Sequence, residues 1–332
     1  ANPAAARSGK RENQDALQIN VVEGAVTNTV DYMRRCRSFL SAICADLVSD
    51  GAIEGAPEDD DEAATLAVQS HPSIKRLRDY LATYDDMMCM LIRGCTIDDE
   101  AEVLARRGAP VERHQALLSK CGVIEGSMRL IKCIYNDVKV PLRLVEKRLP
   151  VVFRVTRLAY LLIERACLHN RDCKVTMLPH YTTIQSHVGG MVGAFYTMLV
   201  IFSGTRELVE KVDNERLSGW REMLPRMRNC KVMSFLVEIC VCNGEPLKAN
   251  QDRVVNILVE DHQHVALQTR IVGDDLFLVD PRAPDDAPVS CADVRKQFGE
   301  DVMQPNNLDH ADRSLKLYQV FLMILELFHS IS

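Results

Sequence analysis

The segment that most constrains the fold is residues 235–259, FLVEICVCNGEPLKANQDRVVNILV. It predicts two short helices joined by a tight turn at Asn243-Gly244, because glycine readily adopts the left-handed conformation that ends a helix. Pro246 prevents the first helix from resuming, and Asn250 is expected to be the N-cap of the second. Apolar residues recur at helical spacing on one face of each helix: Phe235, Leu236, Ile239 and Cys240 in the first, and Val254, Val255 and Leu258 in the second.

A helix pair of this kind cannot bury its apolar face alone, so neighbouring pairs must stack against it. The rest of the chain has the same helical spacing, and we therefore predict an all-α, armadillo-like helical solenoid. The period changes at residues 266–279, where strand-like segments flank Gly273 and predict a small β-hairpin. The main predicted helices cover residues 27–48, 73–93, 97–107 in part, 112–120, 123–135, 143–169, 177–188, 191–202, 205–212, 215–227 and 309–330.

The beginning of the chain is polar and does not start with Met. We therefore expect residues 1–22 to form a flexible lead-in or linker, extended over residues 15–22. Residues 23–332 then form the helical domain, and the chain is expected to be a fragment of a larger protein. Residues 58–62, EDDDE, are predicted to be a solvated acidic loop, because they lack the alternating layout and glycine turn of a calcium loop.

Composition excludes several classes of protein. Of the 332 residues, 47% are hydrophobic and 26% are charged, which is typical of a folded domain. The formal net charge of −6 argues against a partner that is a nucleic acid. The longest apolar run, residues 191–202, is shorter than the roughly 20 residues that a bilayer requires, so no membrane contact by this fragment is expected.

The sequence offers no motif for catalysis, a cofactor or a metal. It lacks the P-loop, GxGxxG, HExxH and GxSxG patterns. The twelve cysteines contain no CxxC pair, and His262 and His264 lie in a polar linker. Most cysteines are expected to be buried thiols of a reducing compartment. We predict that the protein is not an enzyme, and a cysteine-dependent enzyme is the third and least favoured hypothesis.

Basic residues form two local clusters. The first lies before and within the helix predicted at 112–120, and the second lies where the helix predicted at 143–169 meets a loop. A cleft between them could hold phosphate groups by charge-assisted hydrogen bonds. The alternative is that they are solvated helix ends, where cations complement the helix dipole. The first cluster contains Arg106, Arg107, Arg113, His114 and Lys120, and the second contains Arg165, His169, Arg171 and Lys174.

Several segments, in order along the chain, resemble the ryanodine receptor and inositol-trisphosphate receptor family. The sharpest is ICVCNGEPLKANQD at 239–252, and others are VERHQALLSKCGVIEGSMRLI at 111–131, RLAYLLIERACLHNRDCKVTM at 157–177, HVALQTRIV at 264–272 and SLKLYQVFLMILELF at 314–328. The resemblance is to the first homology domain that these calcium-release channels share, the armadillo-like helical domain after the N-terminal β-trefoils. Gly122 and the VCNG segment lean to the ryanodine receptor side.

The resemblance implies a cytosolic domain of an intracellular ligand-gated calcium-release channel, relaying ligand binding to gating. Its partners would be neighbouring β-trefoil and helical domains of a homotetramer at the cytoplasmic face of the endoplasmic reticulum or another calcium-store membrane. No cofactor is implied. A generic armadillo-type scaffold that binds proteins and belongs to no channel is the runner-up hypothesis.

The resemblance also implies where an inositol phosphate would bind. In the family, the helical half of that site presents basic side chains from the helix before the turn and from the turn after the long helix. An ungapped correspondence gives Glu112, Ala116 and Ser119 in the first place, and His169, Asn170 and Arg171 in the second. Of these, Arg171 has the required charge, and a register shift adds Arg113 and Lys120. The implied phosphate contacts are therefore Arg113, Lys120 and Arg171.

Overall fold

A computed structural model describes residues 5–55, 57–190, 192–227, 230–256, 268–280, 283 and 285–299, and positions 315, 318, 319, 321, 322, 324 and 325. The chain divides into two compact units, Ala1–Thr176 and Met177–Ser332. Helices dominate both units and the sheets are small and antiparallel, which confirms the predicted all-α class with small hairpins.

The first unit consists of helices with one short strand pair. In chain order its elements are α1 (Ala5–Ser49), α2 (Asp61–Ser70), α3 (Pro72–Cys95), β1 (Thr96–Ile97), β2 (Ala109–Pro110), α4 (Glu112–Lys120), α5 (Val123–Lys132), a π-helical turn (Cys133–Asp137), α6 (Leu142–Arg148), α7 (Pro150–Cys167) and α8 (Arg171–Met177), whose last residue belongs to the second unit.

Local signals explain where several of these helices begin. The Asp60 carboxylate caps α2 by accepting hydrogen bonds from the backbone N–H groups of Glu62 and Ala63, at 2.9 and 3.0 Å. Pro72 and Pro150 occupy the first turns of α3 and α7, where a missing N–H group leaves no hydrogen bond unmade. The predicted single helix at 143–169 is therefore two helices, and Pro150 starts the second.

The core of the first unit is built around α7, which packs against α3, α4 and α5, while α1 packs against α3 and α5. Most α7 side chains are buried on all sides of the helix. The Tyr84 hydroxyl of α3 donates to the Val155 carbonyl at 2.9 Å. The Arg154 guanidinium donates to both carboxylate oxygens of Asp85, at 2.5 and 3.2 Å, so a bidentate ion pair ties α3 to α7.

Three predictions for this unit are wrong. Residues 15–22 are helical and not extended, because α1 already begins at Ala5. The acidic loop ends earlier than predicted, since Asp61 and Glu62 form the first turn of α2. Residues 97–107 contain no helix, because the Asp98 carboxylate accepts from three backbone N–H groups and folds the segment into a compact turn. The division of the chain at residue 22 stays a prediction.

The second unit combines short helices with two small sheets. Its elements are a 3₁₀ turn (Leu178–His180), α9 (Tyr181–Ser186), α10 (Ala194–Phe202), α11 (Arg206–Val209), α12 (Asn214–Met227), α13 (Cys230–Cys240), β3 (Val241–Cys242), β4 (Glu245–Pro246), α14 (Lys248–Val255), β5 (Gln268–Val272), β6 (Asp275–Val279), β7 (Val289–Ser290) and α15 (Cys291–Phe298).

An aromatic cluster forms the core of this unit. Trp220, the only tryptophan of the chain, is fully buried and stacks on Phe235 with ring centroids 4.5 Å apart. Its indole N–H donates to the Tyr181 hydroxyl at 2.6 Å, and that hydroxyl donates to the Arg216 carbonyl at 3.0 Å. The buried polar groups of Trp220 and Tyr181 are therefore satisfied by each other and by α12 backbone.

The helix pair at 235–259 differs from its prediction at the turn. Asn243 and Gly244 both have positive φ, 53° and 80°, and they join β3 to β4 as the two turn residues of a short hairpin. The left-handed Gly244 is thus confirmed. Asn250 is not an N-cap, because α14 begins at Lys248 and places Asn250 inside the helix, 2% exposed. Leu258 lies outside the described residues.

The predicted β-hairpin at 266–279 is confirmed where it is described. Strands β5 and β6 pair in antiparallel register around Gly273, whose φ is 64°, and β7 extends the sheet. Leu278 and Val289 pack with Val294 of α15 and with Tyr318. The helix predicted at 309–330 lies mostly outside the described residues, but position 318 is helical.

Candidate functional site

The candidate site is the junction of α4, the carboxyl end of α7 and α8, all within the first unit apart from Met177. Gly122 makes the bend between α4 and α5 possible, since its φ of 71° is a left-handed conformation that glycine adopts without a steric penalty. The backbone N–H groups of Cys121 and Gly122 donate to the Leu117 and Ser119 carbonyls, both at 2.9 Å, and close the end of α4. The predicted break at this position is confirmed.

Gln115 joins α4 to the end of α7. Its side chain is fully buried, and its amide donates to the carbonyls of Arg165 at 2.7 Å and Leu168 at 2.9 Å. These carbonyls belong to the last turn of α7 and to Leu168 directly after it, where no intrahelical donor is available. The Gln115 side chain of α4 therefore supplies hydrogen bonds to the carbonyls at the end of α7. Its own Oε1 atom has no hydrogen-bond partner within the described structure.

A hydrogen bond within the turn between α7 and α8, together with contacts to α4, stabilises the turn. His169 has a positive φ of 57°, and the Asn170 side chain accepts from the Cys173 backbone N–H at 3.1 Å. The Cys173 thiol donates to the backbone carbonyl of Gln115 at 3.7 Å and hydrogen bonds to Ser119, while burial raises its pKa to about 11. α4 and α8 are therefore in direct contact.

The three predicted phosphate contacts lie on two elements, Arg113 and Lys120 on α4 and Arg171 at the start of α8. Arg113 and Lys120 are exposed and lie seven residues apart, so they share one face of α4. That face is turned roughly 150° around the helix from Gln115, which faces α7. Arg171 is exposed at the start of α8 and forms an ion pair with Asp172 at 3.7 Å.

The three α4 residues given by the ungapped correspondence with the family lie nearer to α8. Glu112, Ala116 and Ser119 lie on the flank of α4 next to Gln115, and Ser119 reaches the Cys173 thiol. None of these three side chains is cationic. A phosphate group at the junction would therefore meet an acidic, a methyl and a hydroxyl side chain on α4.

Three basic residues of the two clusters are buried and serve the structure. The Arg106 guanidinium donates to the Thr96 hydroxyl, the Thr96 carbonyl and the Glu100 carbonyl, at 3.3, 3.1 and 2.7 Å. Lys174 and Arg165 are 5% and 4% exposed. Because Arg106, Arg165 and Lys174 are buried in the packed unit, they are neither free to bind phosphate nor solvated cations at a helix end.

A buried ion pair lies at the end of α7. Arg165 contacts Glu164 at 3.4 Å, and its Nε atom has no hydrogen-bond partner among the residues described. Burial lowers the pKa of Arg165, the Glu164 carboxylate raises it in part, and the charges of Arg107 and Arg157 lower it further. Burial likewise raises the pKa of Glu164. Arg107 and Arg157 are therefore close enough to Arg165 to oppose its positive charge.

The described residues contain neither a metal site nor a helix that could span a membrane. Within the described ranges, no group of three or more His, Cys, Asp or Glu side chains has a geometry that could hold a metal ion. None of the described helices combines the length and the apolar composition that a membrane crossing requires. The predicted burial of Cys36, Cys44, Cys133, Cys167 and Cys240 is confirmed. His262 and His264 lie outside the described residues.

Comparison with known proteins defines the class. Residues 87–271, more than half of the chain, match the model of the RIH domain, the homology domain of ryanodine and inositol-trisphosphate receptors. The chain belongs to this family, which confirms the resemblance seen in the sequence. The matched region contains the whole α4–α7–α8 junction.

One relative is named an inositol-trisphosphate receptor and another an inositol-trisphosphate receptor-like protein. The inositol 1,4,5-trisphosphate receptor-like protein A of Dictyostelium discoideum is 23% identical over 187 residues, which are 56% of this chain and 6% of that protein. The inositol 1,4,5-trisphosphate receptor itr-1 of Caenorhabditis elegans is 23% identical over 138 residues, 41% of this chain and 5% of that protein. The chain thus spans only a small part of the length of these relatives.

Proposed function

We propose that this chain is a cytosolic helical domain of an intracellular ligand-gated calcium-release channel, and that it relays ligand binding to gating. The match of residues 87–271 to the RIH domain carries the proposal, supported by the two relatives, one named an inositol-trisphosphate receptor and the other an inositol-trisphosphate receptor-like protein. The full protein would be a homotetramer at the cytoplasmic face of the endoplasmic reticulum or another calcium store. β-Trefoil and further helical domains of the same channel would be its neighbours.

The α4–α7–α8 junction supports a relay role, because one buried residue, Gln115, connects three helices. Its side-chain amide donates to two carbonyls at the end of α7, and its backbone carbonyl accepts from the Cys173 thiol of α8. A displacement of α8 on ligand binding would reach α7 through these contacts. α7 in turn packs along α3, so the displacement would reach the core of the unit.

The relay is tested in the full-length protein expressed in cells that lack their own calcium-release channels. Inositol trisphosphate is released inside the cells and store calcium is imaged. Gln115→Leu, which keeps the volume but removes both donors, should shift the half-maximal ligand concentration by about threefold or more. Arg78→Ala, an exposed position on α3, is the matched control and should leave it unchanged. Wild-type sensitivity in a correctly localised Gln115→Leu channel would contradict the relay.

For the ligand itself, we infer that the isolated chain binds inositol trisphosphate weakly, with a Kd on the order of 0.1 mM or worse, about −5.5 kcal/mol. Arg113 and Lys120 are exposed on the side of α4 opposite the one that packs on α7, and Glu112 would repel a phosphate at the flank nearer to α8. Among the implied contacts, Arg171 is the one positioned at the start of α8.

Isothermal titration at low salt checks this value. Arg171→Ala should weaken the residual binding, whereas Arg78→Ala should have no effect beyond the general loss of one positive charge. Low-micromolar binding that disappears in Arg171→Ala would mean that the register is wrong and that Arg113 and Lys120 do reach the ligand.

A further inference from the structure

The turn between β3 and β4 presents Asn243 and Gly244 at the surface of the second unit. Both residues are exposed and have positive φ angles, 53° and 80°. They are the two central residues of a hairpin in which Cys242 pairs with Glu245. A Cβ atom placed on Gly244 would meet no heavy atom of the described structure within 4 Å. The peptide bond that joins Asn243 to Gly244 is therefore open to solvent.

The backbone nitrogen of Gly244 is available to react. Among the described residues its N–H makes no hydrogen bond, because the backbone bonds of the hairpin belong to the strand residues on either side of the turn. Glycine also has no side chain that would shield this nitrogen from a neighbouring group. An attack of the Gly244 nitrogen on Cγ of Asn243 closes a succinimide ring and needs no other residue of the protein.

The Asn243 side chain is held by one weak contact. Its Nδ2 atom donates to the Gly204 carbonyl at 3.4 Å, which is longer than the roughly 2.7–3.2 Å of an ordinary N–H···O bond. The buried amide of Asn250 differs, because it makes three hydrogen bonds at 2.8, 2.9 and 3.1 Å. The exposed Asn243 amide can therefore rotate about its own bonds and bring Cγ towards the Gly244 nitrogen.

We propose that Asn243 is a site of spontaneous deamidation, a modification that requires water and no enzyme. A hydroxide ion takes the proton of the Gly244 N–H, and the nitrogen attacks Cγ of Asn243. The bond from Cγ to Nδ2 breaks, Nδ2 takes up a proton from water and leaves as ammonia, and a succinimide remains. Water then adds to one of the two imide carbonyls, and the carbon–nitrogen bond at that carbonyl breaks.

The product depends on which carbonyl of the ring reacts. Opening at Cγ gives aspartate in an ordinary backbone, whereas opening at the main-chain carbonyl carbon of residue 243 gives isoaspartate, whose backbone runs through the former side chain. One water is consumed and one ammonia is released overall, and no group is oxidised or reduced. Either product adds one negative charge to a chain whose formal net charge is −6.

Either product also removes the link between the hairpin and the loop before α11. A carboxylate at position 243 has no proton to donate to the Gly204 carbonyl. It lies in the same turn as Glu245, which is already paired with Arg206 at 2.5 Å. Isoaspartate further adds a methylene group to the backbone, so the turn loses the two-residue geometry that fixes the register of β3 and β4.

Peptide mapping of the whole folded chain tests the site. The protein is incubated for days in mildly alkaline buffer, and samples are digested with trypsin at lower pH. Residues 232–248 form the peptide that contains Asn243, and residues 212–216 form the one that contains Asn214; each has one asparagine and no glutamine. Asn214 is the matched control, because it is also exposed but precedes Glu215 at the start of α12. Asn243 should lose its amide about tenfold or more faster than Asn214, since the glycine nitrogen is unshielded.

Two variants confirm the chemistry. Asn243→Gln should abolish the fast reaction, because glutamine must close a larger ring that forms more slowly, whereas Asn214→Gln should leave the rate at Asn243 unchanged. If a variant does not fold, the two peptides of the wild-type protein decide. Equal rates at Asn243 and Asn214 would overturn the proposal, and so would a reaction at Asn243 that occurs in the chain unfolded by urea but not in the folded protein.

Discussion

Asn250 offers the sharpest test of how the second unit is held together. Its side-chain amide donates to the carbonyls of Val209 at 3.1 Å and Ile239 at 2.9 Å, and its oxygen accepts from the Arg253 guanidinium at 2.8 Å. These bonds tie α14 to α13 and to the end of α11. The residue is 2% exposed, so water cannot replace the bonds if they are removed.

Asn250→Ala should lower the free energy of unfolding by about 2–5 kcal/mol, because it leaves two carbonyls buried and unpaired at roughly 1–3 kcal/mol each. The Asn250→Asp variant distinguishes a buried side-chain donor from a helix N-cap. Aspartate is as good an N-cap as asparagine. At position 250, however, a carboxylate has no proton to donate to either carbonyl, so the aspartate variant should be less stable than wild type at pH 7, although its carboxylate can still accept from Arg253.

Urea unfolding followed by tryptophan fluorescence is the assay. Trp220 is the only tryptophan and lies buried in the second unit against Phe235, so its signal reports on this unit. Asp252→Asn, at an exposed position of the same helix, is the control and should change stability by no more than about 0.5 kcal/mol. An Asn250→Asp protein as stable as wild type at pH 7 would refute the buried-amide interpretation.

Three further predictions concern single positions. Gly244→Val should destabilise by about 1–2 kcal/mol because Gly244 has a φ of 80°, although a Cβ there meets no atom within 4 Å; an unchanged melting temperature would refute this origin. Ile239→Ala should cost about 2–5 kcal/mol in urea unfolding, as a fully buried aliphatic side chain, and a loss below 1 kcal/mol would show that the site is loosely packed. The hydrogen bond from Arg154 lowers the pKa of Asp85, so this carboxylate stabilises the fold above about pH 4 and loses its contribution as pH falls further; Asp85→Asn should flatten the acid limb of the stability curve, and an unchanged limb would contradict the pairing.

Signals that lie within a few residues were sufficient for much of the fold. The break between α4 and α5 follows from Gly122, the start of α7 from Pro150, and the start of α15 from Ser290, whose hydroxyl accepts from the Asp293 backbone N–H at 3.0 Å. Each is a local conformational preference that tertiary packing does not oppose. The Asp60 cap could have been found in the same way, and α2 with it.

The sequence did not reveal features that depend on distant contacts. Asn250 looked like an N-cap because asparagine is common there, but its partners lie 11 and 41 residues away. Gln115 gave no signal at all, since its partners are carbonyls 50 and 53 residues along the chain. In the candidate site, the burial of Arg106, Arg165 and Lys174 could not be read from the spacing of the basic residues.

Calcium flux through the full-length protein tests the central claim most directly. The protein is purified, reconstituted into calcium-loaded vesicles, and exposed to inositol trisphosphate while escaping calcium is measured with an external dye. A domain of a calcium-release channel predicts ligand-dependent calcium efflux that requires the full-length protein. Vesicles that contain the protein yet retain calcium as tightly as empty vesicles, with and without the ligand, would contradict the assignment and favour a protein-binding scaffold.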